Sequence, residues 1–336
     1  MNTGALSLHE GVLFIGRYTG SGDIFVFDLD GRQLEAGFSL PPSANTTSVA
    51  ITGLAVDGDR KLWIADAFAG RVRCVNLFGK VGADFAPVLG RLEAPLSGAT
   101  LGGDGAPVDV ALAESSKWTG IFVATAGKRV GAIALYLANG TRLLALRSLG
   151  SPKEPFDRVA RMSSSADLLW VVEAGARRVQ VFRAGDFHFS FPVGRLGGQQ
   201  SAPEGLPRAL APVGDGRLVV AIEEDVARGD ASNAGLFLLT GRGLSLQKLA
   251  AAGTAEGQIS HPIDIAVETI RPWPHETEAE VDRRRRVVVL DLDGDRIQVF
   301  NLAGRCYGAF PTFEECEKPK FTPQIEADTP NRGKRG

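Results

Sequence analysis

The chain alternates short apolar runs with breaks rich in glycine and aspartate, and the order of those runs repeats. Leu54-Ala55-Val56-Asp57 is followed by Leu62-Trp63-Ile64-Ala65-Asp66, then Arg71-Val72-Arg73-Cys74-Val75, then a break at Phe78-Gly79-Lys80. The same succession returns as Ile265 to Val267, Val287 to Asp291, Arg296 to Phe300 and the break Ala303-Gly304-Arg305. It returns again as Val159-Ala160, Trp170 to Glu173, Arg178 to Phe182 and Ala184-Gly185. Runs this short, rich in β-branched and aromatic side chains, read as strands. Pairs such as Asp30-Gly31, Asp57-Gly58, Asn139-Gly140 and Asp215-Gly216 read as the turns between them.

Anchoring each unit on the apolar residue of its first strand gives Leu6, Leu54, Val110, Val159, Leu210 and Ile265, spaced by about fifty residues. A period of that length with four strands per unit predicts an all-β fold, a six-bladed β-propeller of four-stranded antiparallel blades. The first and last units each hold four strands in sequence, so no strand is expected to be shared between the termini. Residues 1–312 form the propeller on this reading. Residues 313–336 are charged and proline-containing, and are expected to be disordered unless they dock.

Composition narrows the function classes. Hydrophobic residues are 44% and charged residues 23%, ordinary for a soluble globular chain. A net charge of −2 lacks the basic footprint of a nucleic-acid binder, so nucleic acid is not an expected partner. No apolar run approaches the roughly 18 residues of a membrane span. The first residues carry neither a basic nor an apolar signal segment, which makes the cytoplasm the expected location. Cys74, Cys306 and Cys316 then read as free thiols.

The repeated pattern resembles the NHL repeat. Residues Ile51 to Val75 match it best, His261 to Val267 with Asp291 to Phe300 match it next, and the unit beginning at Pro155 matches more loosely. The other three units follow it in outline. The resemblance spans roughly residues 5–312 and implies the six-bladed propeller. For function it implies only a range, because such propellers serve as enzymes, sensors, RNA binders and scaffolds.

Two sets of polar residues stand out. An acid ends the second strand and an arginine opens the third at Asp66/Arg71, Glu173/Arg178 and Asp291/Arg296. Those ends adjoin in a hairpin, so each pair is expected to staple its turn. The second set surrounds the expected channel mouth, where inner strands start and second strands end. The ligand or partner candidates there are Arg17, Asp109, Asp157, Arg208, Glu223 and Asp264. Arg17, Arg208 and Glu223 lack the standard hairpin partner. Asp109 and Asp264 directly precede an anchor, which turns them toward the channel. Long loops gather at the same face, around residues 41–50, 91–107, 197–206 and 223–235. The insertion 271–286 lies at the opposite face. Its run Arg283 to Arg286 follows Glu276, Glu278, Glu280 and Asp282, which predicts local charge cancellation.

No catalytic constellation emerges. The chain has four histidines, and only His261 lies near the mouth, so a multi-histidine zinc site is not expected. The leading expectation is a non-catalytic binding or scaffold propeller that recognises a protein or peptide, without cofactor. The alternative, taken from six-bladed enzymes, is a lactonase- or lyase-type activity. It would use a divalent cation such as calcium, held by Asp109, Asp157, Glu223 and Asp264.

Overall fold

In the computed structural model the described residues are 4–18, 20–34, 37–42, 46–78, 86–89, 96–97, 105–114, 119–126, 131–151, 154–193, 205–224, 234–291, 296–310, 316, 318 and 324–325. They form a six-bladed β-propeller. The inner strands are Gly4–His9, Ile51–Val56, Ala106–Glu114, Val159–Ser165, Leu206–Pro212 and Pro262–Val267. Each is followed outward by three antiparallel strands, so chain order and spatial order agree within every blade. Among the described residues there is one α-helix, Glu278–Arg284, in the insertion after the sixth inner strand. No helix among them is long and apolar enough to cross a membrane.

Side chains alternate across each strand, so each blade has two apolar faces that must both be covered. Six buried clusters do this, one between each pair of neighbouring blades. In blade two, Leu54 and Val56 pack toward blade one while Ala55 packs toward blade three. The ring closes by the same packing. Leu6, Ile15 and Phe27 of the first blade meet Val288, Ile297 and Phe310 of the last. The first blade is built from the N-terminal strands and the last from the C-terminal ones.

Aspartates fix the turns. Asp57 accepts from the backbone N–H of Lys61 at 2.8 Å and from the Trp63 indole at 2.8 Å. Asp28 accepts from the N–H groups of Asp30 and Arg32 at 3.0 and 2.9 Å. Gly31 takes φ +86° in that turn, whereas after Asp57 the left-handed position falls to Arg60, φ +62°.

Parts of the segment beyond residue 312 dock. Cys316 is buried in the cluster between blades six and one. Gln324–Ile325 pair in parallel with Ala86–Leu89, the outer strand of blade two. All three cysteines are free thiols.

Candidate functional site

One irregularity sets the geometry of the channel. The ladder between inner and second strand slips by one residue in five blades, after Ile51, Pro107, Val159, Pro207 and Pro262. A bulge of this kind re-aims the side chain that follows it. The residues after the bulge are Gly53, Asp109, Arg161, Ala209 and Asp264, with Ala5 at the matching place in blade one. The next residue packs toward the preceding blade in all six: Leu6, Leu54, Val110, Met162, Leu210 and Ile265. The anchor of blade four is therefore Met162, three positions beyond Val159. With that correction the channel position of blade four falls on Arg161.

Arg161 crosses the channel. It starts in blade four and donates to the carbonyls of Gly4, Thr52 and Ile263, on the three blades opposite. It also lies 3.5 Å from Asp109 and 3.6 Å from Asp264. The small residues Ala5, Gly53 and Ala209 leave room for so long a side chain. A Cβ added at Gly53 would come within 2.7 Å of the Asp109 Cα.

Asp109 and Asp264 were expected to face a polar opening shared with Arg17, Arg208 and Glu223. They are instead 3% and 9% exposed and hold neighbouring blades together. Asp109 accepts from the Met162 N–H of blade four at 2.5 Å. Asp264 accepts from the Leu6 N–H of blade one at 3.0 Å and from the Ile265 N–H at 2.9 Å. Burial pushes both carboxyls up, Asp109 to about 7, against the lowering effect of Arg161; Asp264 raises Asp109 further.

This carries a pH dependence. Folded Asp109 keeps its proton to about pH 7, while in the unfolded chain it ionises near pH 4. Between those values the folded state binds more protons, so this contribution falls as pH rises. Asp109→Asn removes the titration and keeps an acceptor for Met162. Its stability relative to the native chain will rise between pH 4 and 7, by at most about 1.4 kcal/mol per pH unit. Urea midpoints of both proteins across that range will show it.

The acids that end the second strands are fold elements in blades two, four and six. Asp66, Glu173 and Asp291 are fully buried. Each accepts from a backbone N–H that leads into its own inner strand: Ala50 at 3.2 Å, Asp157 at 2.8 Å and His261 at 2.8 Å. Glu173 pairs with Arg178, and Asp291 with Arg296 at 3.1 Å, as the five-residue offset predicts. Asp66 departs from the pattern. It pairs with Arg73 at 3.5 Å, not with Arg71. Arg73 occupies the buried position held by Gln180 and Gln298 in the other two blades, and it also donates to the Pro41 carbonyl at 2.7 Å.

Blade five differs. Its second strand ends at Glu223, which pairs with Arg208 of its own inner strand and with Nδ1 of His261 from blade six. Burial raises the Glu223 carboxyl, but the His261 hydrogen bond and the Arg208 charge outweigh it and hold it below the ordinary carboxylate range. An ionised carboxylate only accepts, so Nδ1 carries the shared proton. The three side chains keep 29%, 14% and 25% exposure for Arg208, Glu223 and His261. Arg208 is itself the bulged residue of its strand, which sets it at the rim rather than in the channel.

The six sequence candidates thus fall into separate places. Arg208 and Glu223 meet each other, with His261 as a third member. Asp109 and Asp264 meet at Arg161, inside the channel. Asp157 is exposed and sits against Gly175, a turn residue of its own blade. Arg17 ends the second strand of blade one, opposite Gly4. Arg161 and His261 were missed as site members. Aligning Arg161-Met162-Ser163 with Asp109-Val110-Ala111 and Asp264-Ile265-Ala266 would have found the first. Much of the loop set expected at this face, including 91–95, 98–104, 197–204 and 225–233, lies outside the described residues. In the opposite insertion, Arg284 pairs with Glu276 at 2.7 Å and Arg285 with Asp215 at 3.2 Å.

No protein-family model and no curated protein matches the chain. Solved structures share its fold. A streptogramin B lyase aligns with TM-score 0.53 and 13% identity over 92% of this chain and 83% of its own. A catalytically inactive histidine-to-alanine variant of virginiamycin B lyase from Staphylococcus aureus, solved with quinupristin, aligns with TM-score 0.53 and 14% identity over 94% and 87%. A nidogen/laminin complex contributes a chain with TM-score 0.54 and 12% identity over 93% and 96%. At these identities the likeness shows the propeller fold alone, and these neighbours include both a lyase and a protein-binding propeller.

Proposed function

We propose that this NHL-like propeller is a binding module. Its partner is a protein or peptide, taken on the face where the inner strands begin, against Arg208, Glu223 and His261. The observation that supports this is the contrast between blades. Where blades two, four and six place a fully buried acid opposite the residue before the bulge, blade five places the apolar Ile222, and the next residue, Glu223, joins a partly exposed charged cluster of both signs. Clustered polar groups on a rigid face, next to long loops, suit recognition. A partner segment that offers an anion to Arg208 and a cation or N–H donor to Glu223 fits that cluster.

A quantitative pull-down from native lysate, with the native chain and R208A/E223A as bait, tests this reading. The native bait will retain a defined partner that the double variant loses, with the melting temperature of the bait nearly unchanged. Equal recovery on both baits would remove Arg208 and Glu223 from the interface.

A second reading rests on one observation, the orientation of His261 by Glu223. An imidazole held by a carboxylate has the arrangement of a general base, and the reaction class would be a lyase- or lactonase-type proton abstraction. The channel carboxylates fit calcium poorly, since it needs about six or more oxygen ligands and Asp109 and Asp264 already accept from backbone N–H groups. Arg161 already supplies the positive charge between Asp109 and Asp264, and calcium would have to displace it.

A further inference from the structure

Arg161 divides the channel. On the side where the inner strands end, the blades enclose a cavity of about 240 Å³, far more than one ordered water requires. Asp109 and Asp264 form its closed end. Ser163, Ser164 and Ser165 run along one wall, and Thr269 sits beyond the strand ends at the opening. Each inner strand pairs on one side only, so its other edge presents N–H and C=O groups inward. The result is a dead-ended pocket, lined with hydrogen-bonding groups and apolar side chains, facing away from the Arg208 cluster.

We propose that this cavity binds a compact organic ammonium ion, its charged end on Asp109 and Asp264 and its carbon chain along the inner strands. The cavity carries the inference, and the charge balance chooses the ligand. Its lining holds no charged residue other than the two aspartates. At the channel ring blade four supplies Arg161, while blades one, two and five supply Ala5, Gly53 and Ala209, without charge. One guanidinium therefore faces two carboxylates, at 3.5 and 3.6 Å, longer than a close charged hydrogen bond. Burial, and after it the Asp264 charge, push the Asp109 carboxyl up in spite of Arg161. Near neutral pH an entering ammonium ion replaces the proton held by Asp109: the carboxylate–ammonium contact forms, the proton passes to solvent, and no covalent bond to carbon changes.

Titration calorimetry with n-butylammonium at pH 7 tests the proposal, with 1-butanol and butyrate as neutral and anionic comparisons. Butylammonium will bind one to one with a dissociation constant near or below about 1 mM, and butanol at least about tenfold more weakly. Repeating the titration in two buffers of different ionisation heat will show proton release. Thr269→Trp, which puts bulk at the cavity opening away from the aspartates, will weaken binding at least about tenfold. Asp109→Asn, a second variant, will abolish the proton release, while R208A/E223A will bind butylammonium as the native chain does. No saturable binding to the folded native chain by about 10 mM, equal binding by Thr269→Trp, or butanol binding as tightly would each overturn the assignment.

Discussion

Arg161→Met will destabilise the propeller by about 3–5 kcal/mol, the usual loss when one partner of a buried ion pair is removed. The guanidinium is 5% exposed and serves three carbonyls and two carboxylates at once. Methionine fills much of the volume but leaves those groups without their donor. The size of the loss will depend on pH. Protonation neutralises Asp109 below about pH 7, so the deficit will be larger at pH 8 than at pH 5. Packing alone would give the same deficit at both. Adding Asp109→Asn and Asp264→Asn to Arg161→Met will return a large part of the stability, because the uncompensated charge is then gone. Equilibrium urea unfolding of the single and triple variants at both pH values measures all of this.

Asp291→Ala will cost about 3–5 kcal/mol, whereas Glu223→Ala, at the end of the second strand one blade earlier, will cost about 1 kcal/mol or less. Asp291 is fully buried and accepts from the N–H groups of Ser260 and His261 while neutralising Arg296. Removing it takes the acceptor from two part-buried N–H groups and the counter-charge from an arginine that is 11% exposed. Removing Glu223 leaves Arg208 and His261 with water at hand. Circular dichroism melts and urea midpoints of the two variants, side by side, will separate them. Equal losses would make Glu223 one more hairpin staple.

The blades were legible because strand length, alternation and turn residues are local properties, and six repetitions make a weak local signal strong. The inter-blade packing of Leu54, Val110, Leu210 and Ile265 followed from the same alternation. The channel was legible only in part. A bulge adds one residue inside an apolar run and leaves no compositional trace, so Val159 passed for an anchor that is Met162. That shift hid Arg161. Without it, Asp109 and Asp264 read as solvated mouth residues rather than as a buried set around a guanidinium. Asp66 failed in a different way. Arg71 and Arg73 stand two positions apart on one strand face, and the offset alone does not say which of them the carboxylate meets. Glu223 was singled out as lacking a hairpin partner; the ladder shows why, since Gly235, where the other blades place arginine, stands opposite Ile222, and Glu223 lies one residue beyond. His261, its third partner, comes from the next blade, and sequence spacing holds no record of that contact.

The proposed partner site is the inner-strand-start face at blades five and six, around Arg208, Glu223 and His261. Backbone hydrogen exchange of the propeller with and without its captured partner tests this most directly. The account predicts new protection at residues 206–210, 221–224 and 258–264, with the slow exchange of the inner strands around Arg161 unchanged. Protection confined to the outer strands, or to the opposite face around residues 269–286, would contradict it.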